Sequence, residues 1–116
     1  MERAVVIDGR QVRFRASASV LRLYRIQFRR DLLQDMAEIS RAVKAADSGG
    51  PSIPVEVLGL FENVAYVMAK HADPAVPDTA EEWLDGFGVF SIYQIFPVIL
   101  ELWGDGLRSF SAPAKK

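Results

Sequence analysis

Four groups of side chains in this sequence have types and spacings that could do chemistry. His71 is the only histidine, with Asp73 two positions on, and a histidine beside a carboxylate is the material of a general base. No nucleophile or second base stands in sequence view of it, and at a helix end a histidine commonly caps the last carbonyls. Glu81, Glu82 and Asp85 could share a proton as paired carboxylates do, but they open a helix, where the positive end of the dipole accounts for them. Gly86-Phe87-Gly88 has glycines near a helix yet lacks the full pattern and the lysine of a phosphate loop. Arg22, Arg25, Arg29 and Arg30, interleaved with Tyr24 and Phe28, have the composition of a phosphate-contacting stripe. Here the aromatics fall on the helix face opposite the arginines and the pI is about 5.8, so a solvated basic face is favoured. A small nucleic-acid-binding regulator using that face is the alternative, with a subunit of a larger complex as a third reading. One histidine, scattered carboxylates and no cysteine give no metal-ligand spacing, so neither metal nor cofactor is expected.

The elements that must position these residues follow from patterning. At 116 residues the chain suits one domain, above the ~70–80 residues below which disulfides or metals become necessary. The absence of cysteine excludes disulfides and fits a reducing cytoplasm. Met1-Glu2-Arg3 with no long apolar run behind it argues against a signal peptide, and no stretch approaches the ~20 apolar residues of a membrane span. Charge is split: residues 1–50 hold 10 Lys/Arg against 6 Asp/Glu, residues 51–116 hold 4 against 9. Such polarity either draws two faces together within one fold or favours head-to-tail packing of copies or an acidic partner.

Residues 4–15 read as a β-hairpin: a β-branched run, an Asp8-Gly9 turn of type I′ signature, then the alternating RQVRFR with Val12 and Phe14 inward. Ser17 or Ser19 caps a helix to about Phe28, with Leu21, Tyr24 and Phe28 on its core face and Val20 and Leu23 beside them. Asp31 caps or continues it, Leu32, Leu33, Met36, Ile39 and Val43 recurring at core spacing until Asp47-Ser48-Gly49-Gly50-Pro51 breaks the chain. A further helix starts near residues 52–54, with Leu58, Phe61, Ala65 and Met68 as its stripe, flanked by Val57 and Val64, and ends at His71. Thr79 with Glu82 makes a capping box for a short helix carrying Trp83 and Phe87, closed by Gly86 and Gly88. Ser91 with Gln94 makes a second box for the last helix, in which Pro97 should cause a kink or shift the start. Gly104 and Gly106 should end that helix, leaving residues 111–116 as a flexible tail. The expected fold is α+β, mainly α: an N-terminal hairpin packed on a bundle of four or five helices, one domain over residues 1–110.

The last third is dense in aromatics: Trp83, Phe87, Phe90, Tyr93, Phe96, Trp103 and Phe110. At helical spacing most belong in a core, yet a small domain has limited room for them, and exposed apolar patches mark interaction sites. Trp83, Phe87, Phe90 and Trp103 are therefore the candidate partner-binding residues, and no catalytic residue is assigned.

Three stretches resemble the small tail assembly chaperones of long-tailed bacteriophages and prophages, most closely the type found in phages of Gram-positive bacteria. They are the hairpin leading into VLRLYRIQFRRDLLQDM, the helix LGLFENVAYVMAKHADP, and EEWLDGF followed by FPVILELWGDGL, together nearly the whole chain. Arg29-Arg30 departs from the family's more glycine-like break before Asp31. The resemblance implies a non-enzymatic role in virion morphogenesis, in the host cytoplasm and not in the mature virion. Such proteins keep the hydrophobic, helical tape measure protein soluble until the tail tube polymerises around it. A frameshifted longer form recruits tail tube protein in many relatives, and a chain ending at SAPAKK would correspond to the short form. Self-association along the rod-like client is also expected, with nucleic acid and membrane not expected as partners.

Overall fold

The computed structural model of the chain describes residues 1–50 and 52–111, with side chains described to residue 103. It is an α+β fold, mainly helical: strands β1 (Glu2–Ile7) and β2 (Arg10–Arg15), then helices α1 (Ala18–Phe28), α2 (Leu32–Asp47), α3 (Val55–Ala72), α4 (Ala80–Leu84) and α5 (Phe96–Ser111), with a 3-10 segment at Ser91–Ile95. The hairpin pairs in one register from Glu2 with Arg15 to Ile7 with Arg10, so it begins two residues before the expected Ala4. Asp8 and Gly9 both hold positive φ, as a type I′ turn requires. Alternation then sends Ile7 and Phe14 into the core with essentially no exposure, while Gln11, Arg13 and Arg15 stay in water.

α3 is the axis of the molecule. β2 packs on it from one side, and α1, α2 and α4 also lie against it. Its burial exceeds the single stripe expected: Tyr66, Val67 and Ala69 are buried beside Val57, Phe61, Val64, Ala65 and Met68. A helix enclosed on several sides loses its polar face, which one period of hydrophobic residues does not foretell. Phe61 stacks on Phe96 at 3.8 Å between centroids, joining α3 to α5.

Arg29 ends α1 in the left-handed conformation at φ 59°, ψ 37°, its N–H donating to Arg25 O. Asp31 then caps α2, accepting Leu33 N–H at 3.0 Å. The first two helices are thus separate, and the break uses an arginine where glycine would avoid a Cβ clash of about 1 kcal/mol or more. Arg29→Gly is expected to raise stability by about 1 kcal/mol, read as a higher denaturant midpoint at unchanged slope. A destabilised variant would show that the Arg29 side chain contributes more than its backbone costs.

The C-terminal region departs from expectation at its capping box and at its helix end, while Pro97 acts in one of its two expected ways, by shifting the helix start. Ser91 does not form a capping box with Gln94; its segment is 3-10 helix and its hydroxyl goes to Asp8. The α-helix begins only at Phe96, which puts Pro97 in the first turn, where its missing N–H has no intrahelical partner to lose. α5 also continues through Gly104 and Gly106 to Ser111. A glycine costs an interior helical position about 1 kcal/mol relative to alanine, which weakens a helix without stopping it. Of the expected flexible tail, Ser111 therefore belongs to α5 and residues 112–116 lie outside the described residues, as does the side chain of Phe110.

Candidate functional site: a clamped apolar tip

The loop after α4 is held to the hairpin turn by three polar contacts. Asp8 Oδ2 accepts Gly88 N–H at 2.8 Å, and Asp8 Oδ1 accepts the Ser91 hydroxyl at 2.6 Å. Arg10 Nη2 donates to Gly86 O at 2.9 Å, and its guanidinium lies 4.8 Å from the centre of the Phe87 ring. The Ser91 hydroxyl first, then the Gly88 N–H, hold the Asp8 carboxyl below its ordinary pKa, so it is ionised at neutral pH. The segment leading into α4, the helix before this loop, is held as well. Lys70 Nζ donates to Pro74 O and Val76 O, Tyr66 donates to Pro77 O at 2.6 Å, and Thr79 Oγ1 accepts Glu82 N–H as the expected cap.

What this clamp presents is Val89 and Phe90, 79% and 77% exposed. Two adjacent large apolar side chains in water, on a loop tied at both ends, form a pre-organised apolar knob. At Gly88 an added Cβ would lie 3.0 Å from Ser91 Oγ, tighter than ordinary contact, so any larger residue there would have to displace the hydroxyl that holds Asp8.

The four candidate aromatics divide sharply. Trp83 is 5% exposed, edge-on to Phe14 and Phe87 and tilted against Tyr66, and so is core. Trp103 is 7% exposed and donates its indole N–H to Met68 Sδ at 3.0 Å. Phe87 is half-buried under Arg10, and only Phe90 is open. Val89, the other half of the tip, carried no periodic signal in the sequence, and neither did the second use of Asp8 as the loop's anchor.

The basic face divides as well. Arg22, Arg25 and Arg29 are exposed and make no ion pair among the described residues. Arg30 leaves the stripe: its guanidinium forks onto the buried Asp35, both contacts at 2.8 Å, because a carboxylate 2% exposed requires a paired cation. The Tyr24 hydroxyl completes that site, donating to Asp35 Oδ2 at 2.6 Å.

His71 does not simply cap α3. Its Nε2 lies 3.3 Å from the Ser17 hydroxyl, 54 positions away, a hydrogen bond that ties the start of α1 to the end of α3. A serine beside an imidazole is the core of a nucleophilic pair, but here Ser17 sits at a helix cap and no carboxylate among the described residues orients the second ring nitrogen. Tyr93 donates to Glu62, which with burial pushes its hydroxyl up to about 12 and keeps it protonated. No group of three or more metal-ligating side chains occurs among the described residues. The hollow between β2 and α4, lined by Arg10, Val12, Trp83 and Phe87, holds about 230 Å³, below the range of ordinary small-molecule sites. Among the described residues no helix is long and apolar enough to cross a membrane.

Comparison of the chain with protein-family models, with curated proteins and with solved structures finds no match.

Proposed function

We propose that this protein is a non-enzymatic tail assembly chaperone of the phage type, which binds the apolar face of tape measure protein and keeps it soluble in the host cytoplasm until the tail tube forms. The observation that carries the reading is the rigidly clamped Val89–Phe90 tip, and the resemblance of three long stretches to that family gives the tip its client. A long amphipathic helix is held in water by apolar contact inside a charged rim, and Glu81, Glu82 and Asp85 lie just before the tip in the chain. In this role the protein acts during assembly and is absent from the finished particle, and tail tube protein is met through a longer frameshifted form.

Co-expression with the long helical protein encoded just downstream, followed by a pull-down, tests this directly. The expected result is that the long protein is soluble only in complex with this one. If it stays insoluble and unbound, the chaperone reading is wrong.

A further inference from the structure

We propose that the open edge of β2 takes up an extended segment of a partner protein, one in which acidic side chains alternate with a large apolar one. Met1 and Ala16 exchange both backbone hydrogen bonds, Ala16 N–H to Met1 O at 2.7 Å and the Met1 amino group to Ala16 O at 3.1 Å. Bonded positions alternate along an antiparallel pair, so in the observed register they recur at Phe14, Val12 and Arg10. Gln11, Arg13 and Arg15 therefore turn their N–H and C=O away from β1, and nothing among the described residues bonds to those groups. The hollow beside α4 lies along this edge. Arg10, Gln11, Val12 and Arg13 all line it, and consecutive strand residues, which point to opposite faces, share a hollow only where it follows the strand's rim.

The opposite wall, the linker from α3 to α4, has no backbone groups to spare for β2. Pro74 and Pro77 lack an N–H, and the Val76 N–H goes to Asp73 O. Lys70 and Tyr66 take the carbonyls of Pro74, Val76 and Pro77. An incoming strand would give each of the three outward residues of β2 both a donor and an acceptor. Side chains then select the occupant. Those opposite Arg13 and Arg15 stand on the outer face, and the one opposite Val12 points inward, towards the hollow. Arg15 has no ion pair among the described residues, and Arg13 has only a 3.4 Å contact with Glu2, both side chains half-exposed and easily exchanged. Glu2 is the one acid among the outward-facing hairpin residues, so acidic partners opposite the two arginines are favoured. Val12, Val76, Trp83 and Phe87 give the hollow an apolar lining, and about 230 Å³ suits one large side chain. Asp73 and Glu82 border it and disfavour a carboxylate inside, while Arg10 is tied to Gly86 O above the Phe87 ring. Outward charges commonly shield an edge strand from pairing. Here the cations outnumber the acid, so the edge repels a basic strand and admits an acidic one. Val89 and Phe90 do not line the hollow, and the client keeps the tip.

Fluorescence anisotropy of the full chain with a labelled, terminally blocked peptide, Glu-Val-Glu-Phe-Glu-Val-Glu, tests this. Saturable binding is expected, weaker by about tenfold or more when the phenylalanine becomes alanine or the glutamates become lysines. R13E/R15E should reverse the charge preference and take the lysine peptide over the glutamate one. Each variant's thermal melt reports that it is folded, and if R13E/R15E does not fold, Arg15→Gln alone should still weaken the glutamate peptide about threefold. Amide hydrogen exchange reads the edge itself. Bound peptide should slow exchange at Gln11, Arg13 and Arg15 and leave Val12 and Phe14, already bonded to β1, unchanged. Absence of saturable binding, or binding that leaves those three amides unprotected, overturns the proposal. So does their protection without peptide as protein concentration rises, because the edge then pairs with a second copy. Binding of a DNA duplex in place of the peptide overturns it too. None of these outcomes bears on the long helical client, whose binding is read at the tip.

Discussion

Asp35→Ala is expected to lower stability by about 3 kcal/mol and the melting temperature by roughly 10 °C. Asp35 is the one buried charged side chain among the described residues, and it joins two elements. It stands in the first turn of α2, accepts from Tyr24 on α1, and takes both arms of Arg30 from the connection between them. Alanine leaves the Tyr24 hydroxyl buried without its acceptor, the costly half of a lost hydrogen bond. Arg30 loses less, because its side chain is 50% exposed and water can replace the carboxylate. The sharper result is in the cycle with Tyr24→Phe. In the wild type that change should cost about 1 kcal/mol; after Asp35→Ala it should be neutral or stabilising, because the orphaned hydroxyl is gone. Strict additivity would mean the three side chains do not act as one unit. The same site sets an acid limit. Burial alone would push the Asp35 carboxyl up, but the Arg30 and Tyr24 hydrogen bonds and the Arg30 charge outweigh it and hold the pKa below its ordinary value. A depressed folded-state pKa stabilises above the unfolded value, so this contribution is present at neutral pH and fades as pH falls below about 4. Asp35→Asn should flatten the acid limb of a stability-against-pH curve, and an unchanged limb would assign acid unfolding to other carboxylates.

Legibility in the sequence followed the range of the interaction. The Asp8-Gly9 turn, the Thr79 cap and the inward Val12 and Phe14 depend on neighbours within a few positions, and all were readable. The 3-10 segment was not, because Ser91 answers to Asp8, 83 positions away, before it can answer to its own helix. Arg30 fits a surface stripe by spacing, yet a buried acid one helical turn into α2 claims it. His71 likewise bonds to Ser17, and no local pattern brings those two together. α3 shows the limit of periodicity: the sequence marks one stripe, and the hairpin covers a second side. At the candidate site, composition announced an aromatic surplus but could not choose among its members. Trp83 and Phe90 differ in exposure by a factor that only the packing of Phe14 and Tyr66 determines.

That difference yields the second large effect. Trp83→Ala is expected to cost about 3–5 kcal/mol, the usual penalty for emptying a buried aromatic site, since it removes the ring on which Phe14, Tyr66 and Phe87 all rest. In a domain of ordinary stability, about 5–15 kcal/mol, this takes away a large share, and any client binding would be lost through unfolding. Val89→Ser with Phe90→Ser removes the two most exposed large apolar side chains among the described residues and touches no core contact, so stability should move by no more than about 0.5 kcal/mol. The Asp8 and Arg10 tethers remain, because they hold Gly86, Gly88 and Ser91 and not the tip side chains. On the chaperone reading this folded variant no longer keeps its long helical client soluble. The two substitutions thus separate loss of fold from loss of surface: thermal denaturation should register Trp83→Ala strongly and the tip variant hardly at all, while co-expression should register both. Full client solubilisation by a folded V89S/F90S protein would move the binding surface away from the tip, even with the chaperone role intact.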